Sequence, residues 1–246
     1  MQNTAVIILA GGLGKRMQSE LPKALVPLQG MSLIRHVLGA VAASGVCESP
    51  IIVVGKKREM VMEALGASYR YAIQEDQLGT GHAVLMAKSL LAPSTDSVLV
   101  LYADQPFITA ETIRALTELR ETTKAKLVMA TVGLDDFSGW RSAFLGFSRV
   151  LRDTNGKITG VIENKDATDL EKEILEVNPA YFCFNQTWLL SNLPKLSKQN
   201  AQGEYYLTDL VKFAFEQGLE IPSIQISAKE AIGTNSQEDI EAAASL

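Results

Sequence analysis

Five short apolar runs recur through the first 132 residues: TAVIILA (4–10), PIIVVG (50–55), YRYAI (69–73), SVLVLYA (97–103) and KLVMATV (126–132). Each is nearly continuous in apolar residues and bounded by glycine, proline or charge, the pattern of strands covered on both faces. Segments 32–44, 57–66, 80–91 and 109–123 lie between them with apolar residues at helical spacing, and Thr109 followed by Glu111 and Thr112 marks a helix start. Strand and helix in alternation predict βαβ units. The expected fold is α/β, an open, mostly parallel, Rossmann-like sheet.

Beyond residue 133 the pattern changes. RVLRDTNGKITGVIE (149–163) carries Asn155-Gly156 between two strand-like runs and predicts a hairpin. ILEVNPAYFCF (174–184) predicts one further strand, and EYYLTDLVKFAFEQG (204–218) a helix ending at a glycine. These elements predict a smaller α+β lobe set beside the sheet or continued from it. With no low-complexity linker, residues 1–246 are expected to form one domain with two lobes, divided near residue 133.

A net charge of -5 argues against a nucleic-acid binder. No apolar run reaches the ~20 residues of a membrane span, and Met1–Thr4 is too short for a signal peptide. Cys47 and Cys183 are far apart and suggest neither zinc nor a disulfide framework. A cytoplasmic protein without a membrane partner is expected.

The first strand runs into LAGGLGKRM (9–17), three glycines and two cations in nine residues. It is not a P-loop, because Arg16 follows Gly14-Lys15 where Ser or Thr is required. It is not a dinucleotide fingerprint either, because counting from Gly12 puts Met17 at the third glycine position. The first 36 residues carry Lys15, Arg16, Lys23 and Arg35 against Glu20 alone, a local field suited to a small anion. Ligands of open α/β sheets bind beyond the carboxyl ends of strands. That rule singles out this loop and Ala103-Asp104-Gln105-Pro106 after the fourth run. Backbone amides with Lys and Arg suit phosphate oxygens, and an aspartate opposite them suits Mg²⁺.

Taken together, LAGGLGKRM with Pro22-Lys23-Ala24-Leu25, Gln74 with QLGTGHAV (77–84), YADQP (102–106) and GEYYLTDLV (203–211) resemble the sugar-nucleotide pyrophosphorylases. Among these, the resemblance is to the uridyltransferase domain of the N-acetylglucosamine-1-phosphate uridyltransferases, over residues 4 to about 238. It implies a Mg²⁺-dependent nucleotidyltransferase that joins UTP to a sugar-1-phosphate and serves cell-envelope precursor synthesis. By the same resemblance Leu9, Ala10, Gly11 and Gly12 approach the nucleotide, while Gln74 and Gly79 read the uracil with Thr80 nearby. Arg16 holds the leaving phosphates and Lys23 the α-phosphate region, and Asp104 and Asn235 ligate Mg²⁺. Gly146, Glu163 and Asn178 contact the sugar or ribose, with Glu204 and Asp209 helping to shape that side. Read without the resemblance, Thr80 is a helix N-cap, Lys23 a loop lysine, Asn235 a turn residue, Glu163 an exposed glutamate and His82 structural.

The chain departs from the family pattern on the acceptor side. It ends at Leu246 without a hexapeptide-repeat acetyltransferase segment, so acetyl transfer is not expected. Asn178-Pro179-Ala180 replaces Asn-Thr-Gly, and FSGWRSAFLGFSR (137–149) is longer than Gly-Tyr-Gly-Arg. Alternatives are the same chemistry on another hexose phosphate, an alcohol phosphate or a molybdopterin, or a non-catalytic nucleotide- or sugar-binding regulator.

Overall fold

The computed structural model describes residues 3–12, 14, 19–234 and 239. Its strands are β1 (Thr4–Leu9), β2 (Pro27–Leu28), β3 (Met31–Ser32), β4 (Ile51–Val54), β5 (Arg70–Ile73), β6 (Ser97–Tyr102), β7 (Leu127–Gly133), β8 (Ser148–Arg152), β9 (Ile158–Ile162), β10 (Glu176–Asn178), β11 (Phe182–Asn185) and β12 (Ser223–Gln225). The helices are α1 (Leu33–Ser44), α2 (Arg58–Leu65), α3 (Thr80–Met86), α4 (Ala110–Thr123), α5 (Asp169–Lys172), α6 (Gln186–Asn192) and α7 (Asp209–Glu216).

Apart from the small β2–β3 ribbon, the strands form one ten-stranded sheet in the order β5-β4-β1-β6-β11-β7-β10-β8-β9, with β12 also paired to β7. The strands β5, β4, β1 and β6 are parallel, and β11 runs antiparallel to both β6 and β7. The second lobe therefore continues the main sheet through β7, which pairs with β11 at one end and β10 at the other.

Strand periodicity explains the core. Successive side chains point to opposite faces, so Val6, Ile8, Ile52, Val54, Leu99 and Leu101 meet one set of helices while Ile7, Ile51, Val53, Val98 and Val100 meet another. Ile34, Val37 and Val41 of α1, Val61 of α2 and Ile113 and Leu116 of α4 cover the first face. Val84 of α3, Leu189 of α6 and Leu210, Val211 and Ala214 of α7 cover the second. Val6, Ile7 and Ile8 are fully buried, each such side chain contributing about 1.5–3 kcal/mol of transfer free energy. A run without polar alternation is thus what a strand with two covered faces requires.

Three sequence expectations are corrected. The strand over 174–184 is two strands, β10 and β11, lying along the same neighbour β7. Val177 faces Val132 but Phe182 faces Met129, so two extra residues bulge out between them. Pro179 has no amide hydrogen to give the ladder, and Ala180 is left-handed at φ 65°. The helix over 204–218 begins only at Asp209, because the backbone of 205–207 is bonded to 78–81 instead (Tyr205 N to Leu78 O, 2.8 Å; Gly81 N to Tyr205 O, 2.8 Å). The helix over 80–91 ends at Met86 and continues as a 3₁₀ turn over Lys88–Leu90.

The 149–163 hairpin is present as β8 and β9, its turn closed by Asp153 N to Lys157 O at 2.9 Å with Gly156 at φ 81°. Thr109 caps α4, its hydroxyl accepting from Thr112 N at 3.2 Å.

Candidate active site

After β1 the chain proceeds outward to β4 and β5, then returns to β6 on the other side of β1. That reversal opens a crevice at the carboxyl ends of β1 and β6. Leu9 lies beside Tyr102 there, and Ala103 N donates to Leu9 O at 3.0 Å. The strand ends at this crevice carry the loop after β1 and the Asp104 segment after β6.

A cavity of about 390 Å³ occupies the crevice. Leu9, Ala10, Gly11, Gly12, Lys23, Gln74, Gly79, Thr80 and Asp104, all selected from sequence, line it. Ala10 N donates to Val53 O (2.8 Å), fixing the start of the glycine loop over β4. Gly11 then lies so close to Gly55 that a Cβ on Gly55 would sit 2.8 Å from the Gly11 carbonyl oxygen. Gln77 Nε2 donates to that same carbonyl. The loop is thus held against the sheet by its backbone.

Gln74 is buried, and its Nε2 donates to Gly79 O (3.0 Å) and lies 3.1 Å from His82 Nδ1. His82 therefore orients Gln74 from outside the cavity wall. Gly79 has φ 109°, and a Cβ there would lie 2.6 Å from Tyr205 O. Only glycine fits both the angle and the approach. Thr80 does not cap α3 with its side chain; Gly79 is the cap residue, and the Thr80 hydroxyl accepts from Leu207 N at 3.0 Å.

Lys23 follows Pro22, whose carbonyl accepts from Leu25 N (2.8 Å) to close a tight turn, and buried Ala24 anchors that turn in the core. The Lys23 ammonium is ion-paired with Asp104 Oδ2, the side chains being 12 % and 26 % exposed. The Asp104 carbonyl accepts from Thr234 N (2.9 Å) and Thr234 Oγ1 (3.1 Å). Arg16 and Asn235 lie outside the described residues.

A second cavity, of about 220 Å³, adjoins the first, and Thr80, Tyr102 and Asp104 line both. Its wall includes the other three residues selected from sequence: Gly146, Glu163 and Asn178. Asn178 Oδ1 accepts from Ala180 N (2.9 Å), bracing the bulge between β10 and β11. Thr208 Oγ1 donates to Glu163 Oε1 (2.7 Å). Burial raises the Glu163 carboxyl above the ordinary glutamate range against that hydrogen bond, and the nearby carboxylates Asp209, Asp166 and Glu204 add to the rise.

Several wall residues were not selected from the sequence, although they stand inside or beside the quoted motifs. Gln77 belongs to QLGTG, Tyr102 and Gln105 to YADQP, and Thr208 to the segment read as helix. Burial pushes the Tyr102 hydroxyl above the ordinary tyrosine range, and the nearby carboxylates of Glu163 and Asp104 add to the rise. Glu204, expected on the sugar side, lines the first cavity.

A glycine loop and a lysine–aspartate pair at the switch point, with a second polar cavity behind them, define a nucleotide-binding transferase site on an open α/β sheet. The chain belongs to the MobA-like NTP transferase domain family, which matches residues 6–205. It is 38 % identical over 238 residues to "Bifunctional protein GlmU" of Heliobacterium modesticaldum, covering 96 % of this chain and 50 % of that protein. To the protein of the same name from Geobacillus thermodenitrificans it is 41 % identical over 230 residues, covering 93 % and 48 %. The chain thus spans about half the length of the curated relatives it matches.

Among solved structures, a UDP-glucose pyrophosphorylase complexed with UDP-glucose aligns with TM-score 0.78 at 17 % identity, covering 100 % of this chain and 98 % of that one. A 4-diphosphocytidyl-2C-methyl-D-erythritol synthase from Anaerococcus prevotii aligns with TM-score 0.67 at 15 % identity, covering 99 % and 97 %. These likenesses establish the fold. No helix among the described residues is long and apolar enough to cross a membrane.

Proposed function

We propose that the protein transfers a uridylyl group from UTP to a sugar-1-phosphate, with N-acetylglucosamine-1-phosphate as the acceptor. The observation that carries this reading is the junction: two cavities share Thr80, Tyr102 and Asp104, with Lys23 paired to Asp104 where they meet. A nucleotide in the first cavity and a sugar phosphate in the second would bring their phosphates together there.

An anionic oxygen of the acceptor phosphate forms a bond to the α-phosphorus as the bond to the β-phosphate bridging oxygen breaks. The electron pair departs with pyrophosphate. The acceptor oxygen carries no proton that must be removed, so the protein's task is positioning and charge neutralisation. Lys23 supplies a cation where negative charge gathers in the transition state, and Arg16 is assigned the leaving phosphates from the sequence pattern. Gln74 and Gly79 face the base, the loop over 9–12 passes the nucleotide by its backbone, and Glu163 and Asn178 orient the sugar.

Asp104 is the residue to hold a divalent ion. It is a hard carboxylate donor at a strand end beside the phosphate route, which suits Mg²⁺, an ion that takes one or two protein carboxylates and fills its shell with water and phosphate oxygens. Asn235 is the proposed second ligand. Bound there, Mg²⁺ would add Lewis-acid stabilisation of phosphate charge.

The test is pyrophosphate release with Mg²⁺ across four nucleoside triphosphates and a panel of sugar-1-phosphates. Release with UTP and N-acetylglucosamine-1-phosphate is expected. Release with UTP and a different sugar would keep the chemistry and replace the acceptor. Silence from folded protein that binds UTP would overturn the catalytic reading.

A further inference from the structure

One residue of the acceptor wall carries a buried polar atom that, among the described residues, has no hydrogen-bond partner. Gln105 follows Asp104 and is 7 % exposed. Its Nε2 donates to the carbonyl of Pro179 at 2.9 Å, across 74 residues of sequence. Its Oε1 is buried and, among the described residues, has no hydrogen-bond partner. Of the buried side-chain atoms in that condition, it alone belongs to a residue lining either cavity.

Two neighbouring wall side chains, Glu163 and Asn178, have partners of their own. Glu163 Oε1 accepts from Thr208, Asn178 Oδ1 accepts from Ala180 N, and Asn178 Nδ2 donates to Ser148 Oγ at 3.4 Å. A buried carbonyl oxygen without a donor costs about 1–3 kcal/mol. Such groups are rare in folded proteins and call for an occupant that satisfies them. The amide cannot be turned over to remove the problem, because the nitrogen end is the one that can donate to Pro179 O.

We propose that Gln105 determines acceptor specificity: its Nε2 fixes the bulge between β10 and β11, and its Oε1 receives a hydrogen bond from an N–H or O–H donor on the acceptor sugar. The inference rests on the uridylyl-transfer reading for the identity of the ligand. Gln105 joins the two halves of the site along one side chain, since its backbone continues from Asp104 while its amide holds the acceptor wall. A sugar that seats its donor on Oε1 is thereby placed in register with the Asp104–Lys23 pair. The acceptor class is a phosphorylated sugar with a hydroxyl or acetamido donor facing β6.

The experiment is calorimetric titration of N-acetylglucosamine-1-phosphate and of glucose-1-phosphate into the protein holding Mg²⁺ and a non-hydrolysable UTP analogue. Wild type is compared with Gln105→Met, which keeps length and removes both polar atoms, and with Gln105→Glu, which keeps an acceptor oxygen and, in the protonated form that burial favours, a donor for Pro179 O. UTP-analogue affinity reports on folding of the nucleotide side. Gln105→Met is expected to weaken acceptor binding about tenfold, the equivalent of one lost hydrogen bond, with analogue affinity unchanged and Gln105→Glu less affected. A loss confined to the acetamido sugar assigns the donor to its N–H, and an equal loss for both sugars assigns it to a shared hydroxyl. Acceptor affinities within twofold of wild type for both variants would overturn the proposal and leave uridylyl transfer standing. Wild type that binds the analogue but neither sugar would overturn both.

Discussion

The two halves of the site are built in different ways. The side proposed for the nucleotide is built largely on backbone: a glycine loop pressed onto Gly55, the Gly79 turn pressed onto Tyr205, and parallel strands that end together. The side proposed for the acceptor is made of interruptions in antiparallel pairing, with the bulge at 178–181 and the 3₁₀ segment Gly139–Gly146 placing Asn178, Pro179, Ala180 and Gly146 around its cavity. A wall set by backbone approach tolerates little change where a Cβ would collide, as at Gly55 and Gly79. A wall set by side chains on a bulge can be altered one residue at a time. This contrast fits a chain that keeps the family motifs on the nucleotide side while carrying Asn-Pro-Ala and a longer 137–149 segment on the other.

The sharpest way to separate the halves is at their junction. Lys23→Ala is expected to lower kcat by about 10²–10³-fold, the range for one preorganised charge-stabilising donor. Acceptor affinity should change little, because Lys23 lines the first cavity and not the second. Steady-state kinetics with a separate acceptor titration checks this. An unchanged kcat would remove Lys23 from the mechanism.

Two glycines give the next largest effects. In Gly79→Ala, the added Cβ would meet backbone atoms of Tyr205 at 2.6 and 2.8 Å while φ stays at 109°. That combination should destabilise by about 2–4 kcal/mol, read as a lower denaturation midpoint. Because the 78–81 and 205–207 segments are bonded to each other and Thr80 lines both cavities, affinity for both substrates should fall. Gly55→Ala should act differently. Its Cβ would press on Gly11 and Gln77, which line the first cavity and not the second, so UTP affinity should fall about tenfold while acceptor affinity holds. If Gly55→Ala weakened both substrates equally, the halves would not be separable.

How far the sequence foretold this arrangement follows the same division. Residues in runs such as TAVIILA announce a two-faced strand because both neighbours and both faces demand apolar side chains. That the glycine loop, Gln74, Gly79 and Asp104 share one cavity was legible because the motif and the strand end coincide. The split of β10 from β11 was not legible, because ILEVNPAYFCF is apolar on both sides of Pro179 and the bulge depends on register with β7. Nor was the role of 205–207, since EYYLTDLV satisfies a helical pattern and its true partner is 127 residues earlier, at Thr80. Tyr102 and Gln105 stood inside a recognised motif, yet their importance arises from what lies across the cavity. Arg16 and Asn235 rest on the sequence pattern alone.

Glu163 offers a pH-dependent probe of the acceptor wall. Its raised carboxyl, caused first by burial and then by neighbouring carboxylates, binds its proton more tightly folded than unfolded. Its contribution to stability is therefore full below the unfolded glutamate value and is lost as pH rises through the folded value. Glu163→Gln keeps an oxygen for the Thr208 hydroxyl and removes the buried charge. Its thermal stability relative to wild type should improve as pH rises from 4 through the raised value, even as sugar affinity declines. Denaturation at several pH values tests the sign, and a stability advantage that grew toward acid pH would refute it.

The smallest expected effect lies at Ala180, where a Cβ is carried at φ 65°. Left-handed backbone costs a non-glycine residue roughly 1–2 kcal/mol, whereas glycine adds about 0.5–1 kcal/mol of unfolded-state entropy. Ala180→Gly should therefore leave global stability within about 1 kcal/mol of wild type, on the favourable side. The same change loosens the bulge that Asn178 and Gln105 brace. Acceptor affinity should then fall by about threefold, comparable to a fraction of one hydrogen bond, with UTP affinity unchanged. Parallel titrations of donor and acceptor decide it. A stiffer, tighter acceptor site in the glycine variant would mean that Ala180 holds strain against the sugar instead of holding the wall for it.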